Sequence, residues 1–311
     1  MRLRIGRRAL IAVLLLPGAG CFSPGEGLVS PCWALEKSML FFPRHYPDGD
    51  WNTRKVPVED AWFVTADGVR LHGWFYEAEN PRAVLLYAHG NGGNVTNSLE
   101  ALRFFPEVFH TSILVFDYRG YGRSEGTPTE AGLLADARAA RRWLAGRTKV
   151  AEADIVLLGR SLGGGVMVDL AARDGARGLV LENTYTSLPD VADSHFPMLL
   201  PRLLMRTRLD SIAKIRDYHG PLLQTHGEAD RVIPFELGTK LYAAANEPKQ
   251  FVRVPGGDHN DPPTREYLVA LDRFLDLKQA RFPTPAGHPN VRRTEGTATS
   301  LLHTAVGFSS T

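Results

Sequence analysis

Cysteine is nearly missing from this chain of 311 residues: there are two, Cys21 and Cys32, and both precede the globular part. No disulfide framework can staple a fold of this size with them. No Cys-x-x-Cys or Cys/His spacing offers a zinc site either. Charge of one sign is also lacking, with 36 Lys and Arg against 34 Asp and Glu and a formal net charge of +2. The basic residues form no long stripe, which excludes an obvious nucleic-acid partner. Long apolar runs are missing too. The run Ala9 to Leu16 is far short of the roughly 20 residues that cross a bilayer. What remains is 44% hydrophobic and 23% charged, an ordinary globular composition with enough chain for one large core.

The first residues read as an export signal. Arg2, Arg4, Arg7 and Arg8 form a basic head, Ala9 to Leu16 a short apolar core, and Pro17-Gly18-Ala19-Gly20 a small-residue stretch before Cys21. This is the order of a secretory signal. The small residues directly before Cys21 resemble a bacterial lipoprotein signal, in which the cysteine becomes the lipidated first residue. Gly18 stands where that pattern usually has Leu, so ordinary cleavage and an uncleaved anchor stay open beside lipidation. The expectation is a chain exported to the bacterial periplasm or cell envelope, with Cys21 as a candidate lipid anchor and membrane attachment through the N-terminus. At the other end, residues from Arg281 onward are rich in Pro, Thr, Gly and Ser without apolar periodicity, which reads as a disordered tail.

Between these ends, apolar runs alternate with amphipathic ones. Residues 22–57 read as a linker, with Ser38 to Pro43 as an apolar strap. Two alternating runs flank Asp67-Gly68 between Ala61 and Tyr76, a hairpin signal. Short buried-strand patterns follow at Val84 to Tyr87, Ile113 to Phe116, Ile155 to Leu158, Gly178 to Leu181, Pro221 to Thr225 and Phe251 to Val254. Helical spacing marks Thr129 to Ala145, Gly164 to Ala172, Glu236 to Ala244 and Thr264 to Leu277. Strands alternating with helices predict a mostly parallel central sheet with helices on both faces and an antiparallel hairpin near the start. The expected domain spans residues 58–280.

Sites in such sheets lie at the carboxyl ends of the strands, and chemistry-bearing residues collect there. Gly159-Arg160-Ser161-Leu162-Gly163 follows an apolar run and opens a helix, the strand–turn–helix context of a nucleophile elbow. The turn is expected to strain the Ser161 backbone. A serine hydroxyl needs a base, and the base needs a third group to fix its tautomer. Asp230 and His259 each stand just past a strand, in the order Ser, acid, His. Glu228 and Asp258 compete with Asp230 for the acid's place. The loop His89-Gly90-Asn91-Gly92-Gly93 offers backbone N–H groups. Those of Asn91 and Leu162 are the expected oxyanion donors. That loop lacks the Gly-Lys-Ser/Thr ending and the G-x-G-x-x-G spacing of phosphate loops. His89 reads as a structural hydrogen-bonder and Asp117 as a turn residue. Asp258, His259 and Asp261 lack a second cluster that would complete a metal site.

At these residues the chain resembles the α/β-hydrolase fold, in its serine-aminopeptidase-like branch of alpha/beta hydrolase domain-containing proteins. The matching text is Thr65 to Gly68, His89 to Asn94, Asp117 to Ser124, Gly159 to Gly164, Glu182 to Ser187, His226 to Pro234 and Gly257 to His259. The resemblance implies a serine hydrolase acting on an ester, thioester or amide, most simply carboxylesterase-like. It would use no cofactor or metal and take a small acyl compound or peptide as substrate. It also implies a small lid over about 186–218. There, Phe196 to Pro201 and Leu203 to Met205 read as an apolar flap or as plain core. The rival function is an exported, non-catalytic binding protein on the same fold. Relatives that are dehalogenases or epoxide hydrolases use Asp where Ser161 stands. Mass spectrometry of the mature protein tests the export reading. A chain beginning at a lipid-modified Cys21 would establish lipid anchoring, and an unmodified Cys21 in the mature chain would exclude it.

Overall fold

The computed structural model describes residues 36, 40–54 and 56–276. Contacts divide the chain into Met1–Leu40 and Phe41–Thr311, and the architecture below is that of the second unit. The expected signal over 1–21 with Cys21, and the expected tail over 281–311, lie outside the described residues.

Ten strands are described in this unit: β1 (Phe42–Pro43), β2 (Glu59–Val64), β3 (Arg70–Tyr76), β4 (Ala83–Ala88), β5 (Gly92–Gly93), β6 (Thr111–Phe116), β7 (Val156–Arg160), β8 (Gly178–Glu182), β9 (Leu222–Gly227) and β10 (Lys249–Val254). Eight form one sheet in the order β10-β9-β8-β7-β4-β6-β3-β2. The β2/β3 and β3/β6 pairs are antiparallel and every other pair is parallel. The hairpin turns at Asp67-Gly68, as expected, with Gly68 at φ +87°. β4 and β6 are buried along their whole length, because helices cover both faces of a parallel sheet. The strap contributes a second, two-stranded sheet: β1 pairs in parallel with β5 of the glycine-rich loop, and Phe41 beside it is buried.

The helices are α1 (Leu99–Phe109), α2 (Glu130–Thr148), α3 (Leu162–Asp174), α4 (Leu188–His195), α5 (Pro201–Leu204), α6 (Ser211–Lys214), α7 (Phe235–Ala244) and α8 (Arg265–Leu275). α1 is absent from the sequence reading. Its Leu102, Phe105 and Phe109 are buried at helical spacing, but Pro106 lies inside it and reads as a breaker. α1 and α8 share one core cluster with alternate strand residues such as Leu85, Tyr87, Ile113, Val115 and Leu158. The other strand residues, Leu86, Leu114, Leu157 and Leu179, are equally buried and point to the opposite face. Thr129, Ser187 and Thr264 each cap a helix through a side-chain oxygen, which satisfies an end N–H and fixes the helix start.

Most of the apolar residues after α4 are not core, Pro201 being buried. Met198 is 91% exposed, Leu203 77% and Leu204 62%. None of the described helices is long and apolar enough to cross a membrane.

Close packing of α3 on β4 sets the site's geometry. A methyl group on Gly163 would lie 2.0 Å from the Ala88 carbonyl oxygen, so only glycine permits this approach. Gly163→Val is therefore expected to lower stability by about 3 kcal/mol or more, read as a depressed thermal midpoint. Gly146 in α2 has nothing within 4 Å of an added methyl. Gly146→Ala is expected to raise stability by about 0.5–1 kcal/mol, and a loss there would contradict the helix assignment.

Candidate active site

Ser161 sits between the end of β7 and the start of α3 with φ +53° and ψ −119°. That backbone conformation is costly for a non-glycine residue, on the order of 1–3 kcal/mol, and survives only where the surroundings impose it. Here they do. The Ser161 N–H donates to the Glu182 carbonyl at 2.9 Å, and its own carbonyl accepts from the Gly164 N–H at 2.9 Å. The same carbonyl accepts from the Thr184 hydroxyl at 3.0 Å. The strain expected from the sequence is thus present, and two neighbouring segments hold it.

The three side chains singled out along 98 positions of sequence form one contact chain. His259 Nε2 lies 3.1 Å from Ser161 Oγ, and His259 Nδ1 lies 2.7 Å from Asp230 Oδ2. Asp230 Oδ1 accepts from the N–H groups of Val232 and Ile233, both at 2.8 Å. Burial opposes the Asp230 charge, but the histidines His226 and His259 and the Ile233 N–H outweigh it. Its pKa is held well below the usual carboxylate range. An ionised Asp230 can only accept, so His259 Nδ1 donates to it, which in a neutral ring leaves Nε2 to accept from the Ser161 hydroxyl.

The competing acids are engaged elsewhere. Glu228 pairs with Arg253 at 2.8 Å. Asp258 binds Arg231 through both backbone and guanidinium, and those bonds lower its pKa to about 2. Asp258 also accepts the His259 N–H at 2.9 Å, so it places the histidine's backbone rather than its ring.

The glycine-rich loop faces the serine: a methyl group on Gly90 would lie 3.6 Å from the Ser161 Cβ. Asn91 anchors this loop, its Oδ1 accepting from the Tyr121 hydroxyl at 2.9 Å and the Phe42 N–H at 3.2 Å. Leu162 is the first residue of α3, where helix geometry leaves the N–H without an intrahelical partner. His89 is buried, with Nδ1 2.7 Å from the Gly90 carbonyl oxygen. Asp117 is fully buried and accepts the Val95 N–H at 2.7 Å. Both brace the loop from beneath. Burial opposes the Asp117 charge, yet the neighbouring imidazoles of His72 and His89 lower its pKa.

Two residues escaped the sequence reading as site residues. Arg160 donates to the His259 carbonyl at 2.9 Å, and Asn183 donates to the same oxygen at 2.8 Å. Asn183 has φ +46°, and its Oδ1 takes the Gly227 N–H at 3.1 Å. The apolar stretch after α4 is tied to the loop carrying Asp230, since His195 Nε2 lies 2.9 Å from the Val232 carbonyl oxygen. Among the described residues no group of three or more His, Cys, Asp or Glu side chains is placed to hold a metal ion.

The arrangement has recognisable company. A family model described as alpha/beta hydrolase fold matches residues 83–216. An uncharacterized protein of Mycobacterium tuberculosis is 38% identical over 255 residues, covering 80% of this chain and 90% of that one. The alpha/beta hydrolase domain-containing protein WAV2 of Arabidopsis thaliana is 36% identical over 225 residues, covering 65% of this chain and 72% of its own. Among solved structures, a Pyrococcus furiosus esterase superposes with a TM-score of 0.64 at 18% identity. That match covers 77% of this chain and 98% of the esterase. At that identity the match speaks to fold alone.

Proposed function

We propose that this chain, which belongs to the α/β-hydrolase family, is a serine hydrolase that opens an ester, thioester or amide through an acyl-enzyme on Ser161. The observation carrying the proposal is the unbroken contact from Ser161 Oγ to His259 Nε2 at 3.1 Å and from His259 Nδ1 to Asp230 at 2.7 Å. A hydroxyl, an imidazole and a buried carboxylate in that order make a proton relay.

In the proposed reaction the Ser161 oxygen attacks the substrate carbonyl carbon while His259 Nε2 takes the hydroxyl proton. Asp230 keeps the ring in the tautomer that can accept and stabilises the imidazolium that forms. The N–H groups of Asn91 and Leu162 receive the oxyanion, and each such donor is worth about 3 kcal/mol of barrier. Collapse expels the alcohol, thiol or amine, which leaves with the proton from Nε2. Water then attacks the acyl-enzyme, His259 takes its proton, and the carboxylic acid departs as Ser161 regains its hydrogen. The balance is substrate plus water to acid plus leaving group.

The exposed Phe196, Met198 and Leu203, on a segment bonded to the acid loop, favour a substrate with an apolar acyl or leaving group. They act by covering apolar surface that would otherwise stay in water. A short p-nitrophenyl ester is the direct assay. Turnover by the purified chain is expected. Ser161→Ala and His259→Ala should lose at least about 10³-fold in kcat, and Asp230→Asn roughly 10⁴-fold. Glu228→Gln should stay within about twofold. Unchanged turnover in Ser161→Ala would overturn the proposal, and no turnover by the folded wild type on a panel of esters and an aminoacyl amide would favour the binding-protein alternative.

A further inference from the structure

A cavity of about 450 Å³ lies beneath the His259 loop, between α1 and α8. Ser161 does not line it. Its floor is made by the ends of three adjacent strands, with Arg160 on β7, Glu182 on β8 and Thr225 on β9. Its walls include the apolar Phe104 and Phe105 from α1 and Leu268 from α8, with Glu100, Asp258 and Asp261 also lining it. The volume and the mix of apolar walls with a few converging polar groups are those of a small-molecule site.

The floor holds two opposite charges that do not meet. Arg160 and Glu182 are register partners on neighbouring parallel strands, so their side chains leave the same face at strand spacing, about 4.8 Å. Yet they form no direct ion pair, although against the opposing effect of burial the Glu182 charge still helps to raise the Arg160 pKa. Each is held apart from the other. Arg160 donates to the neutral oxygens of the His259 carbonyl and the Asn260 amide, at 2.9 and 3.3 Å. Glu182 Oε1 accepts from the Tyr267 hydroxyl at 2.5 Å. A partly buried guanidinium satisfied only by neutral acceptors forgoes the stronger charge-assisted bond. On the other side of Glu182 from Arg160, Thr225 is its register partner on β9, and its Oγ1 is buried with no hydrogen-bond partner among the described residues. A buried hydroxyl left so is destabilising.

We propose that this cavity binds a free α-amino acid with an apolar side chain. Its carboxylate would meet Arg160, its ammonium Glu182, and its side chain the wall of Phe104, Phe105 and Leu268. A zwitterion fits this floor better than a simple anion or cation, because either of those would face one like charge. One carbon separates the two charged groups of an α-amino acid, which suits side chains rooted on adjacent strands. Thr225 Oγ1, beside Glu182, gains a donor in the bound ammonium. The site stands apart from the proposed catalysis, since binding is read without turnover.

L-leucine is the probe, measured by ligand-observed NMR and calorimetry on the full chain. Binding with a Kd of about 1 mM or tighter is expected. Leucinol lacks the carboxylate and 4-methylpentanoate lacks the ammonium, and each should bind at least about tenfold more weakly. Arg160→Met and Glu182→Gln should each weaken leucine about tenfold or more. Ala101→Trp fills the cavity from α1 and should abolish binding even if the floor variants fail to fold. Ser161→Ala should bind within about twofold of wild type. No binding of leucine up to about 20 mM, equal binding of leucinol, undiminished binding by Ala101→Trp, or loss of binding in Ser161→Ala would each overturn the proposal.

Discussion

The bond between His259 Nδ1 and Asp230 is the contact on which the rest of the site depends. It joins a loop after β10 to a loop after β9 and holds the imidazole beside Ser161. Asp230 can hold the ring only because its second oxygen is fixed by the N–H groups of Val232 and Ile233. The histidine backbone is fixed as firmly. Its N–H is bound by Asp258 and its carbonyl by both Arg160 and Asn183. A side chain held at the ring, the N–H and the carbonyl has little freedom left to lose during a reaction, which is how preorganisation lowers a barrier. The parallel sheet makes this affordable in distance: β7, β8, β9 and β10 are successive neighbours, so the loops at their ends meet although 98 positions separate Ser161 from His259.

Strain and support are coupled in the same way at Ser161. Ser161 adopts φ +53° because Glu182 and Thr184 grip its N–H and carbonyl from the next strand. Gly163 lets α3 come down onto β4. The motif Glu182-Asn183-Thr184 therefore serves both partners. Its backbone and hydroxyl hold the serine, and its amide holds the histidine loop.

Much of this was legible in the sequence. Apolar runs of four to six residues ending in Gly, Asp or His announced strand ends, and the order of Ser161, Asp230 and His259 at such ends followed from the element map. The antiparallel start was readable from Asp67-Gly68. α1 was not, because Pro106 breaks the pattern on paper while its ring is accommodated in the helix. Arg160 and Asn183 were equally hidden. Each bonds a carbonyl about 76 to 99 positions away, and such a contact depends on strand register, which alternation alone leaves unset. The fate of Phe196 to Leu204 was also undecided on paper. An apolar stretch reads the same whether it packs inward or lies exposed, and only the packing of α4 against the acid loop shows it outside.

The family accounts for the fold, and relatives at 38% and 36% identity carry it over most of the chain. The chemistry rests on the chain's own residues, above all on whether the Ser161 oxygen is made nucleophilic by its neighbours. Peptide mapping after exposure to a fluorophosphonate tests that most directly. The account predicts one phosphonyl group per chain, on Ser161, formed rapidly in the native protein and not after unfolding. A native protein left unlabelled, or labelled at another residue with Ser161 untouched, would contradict it.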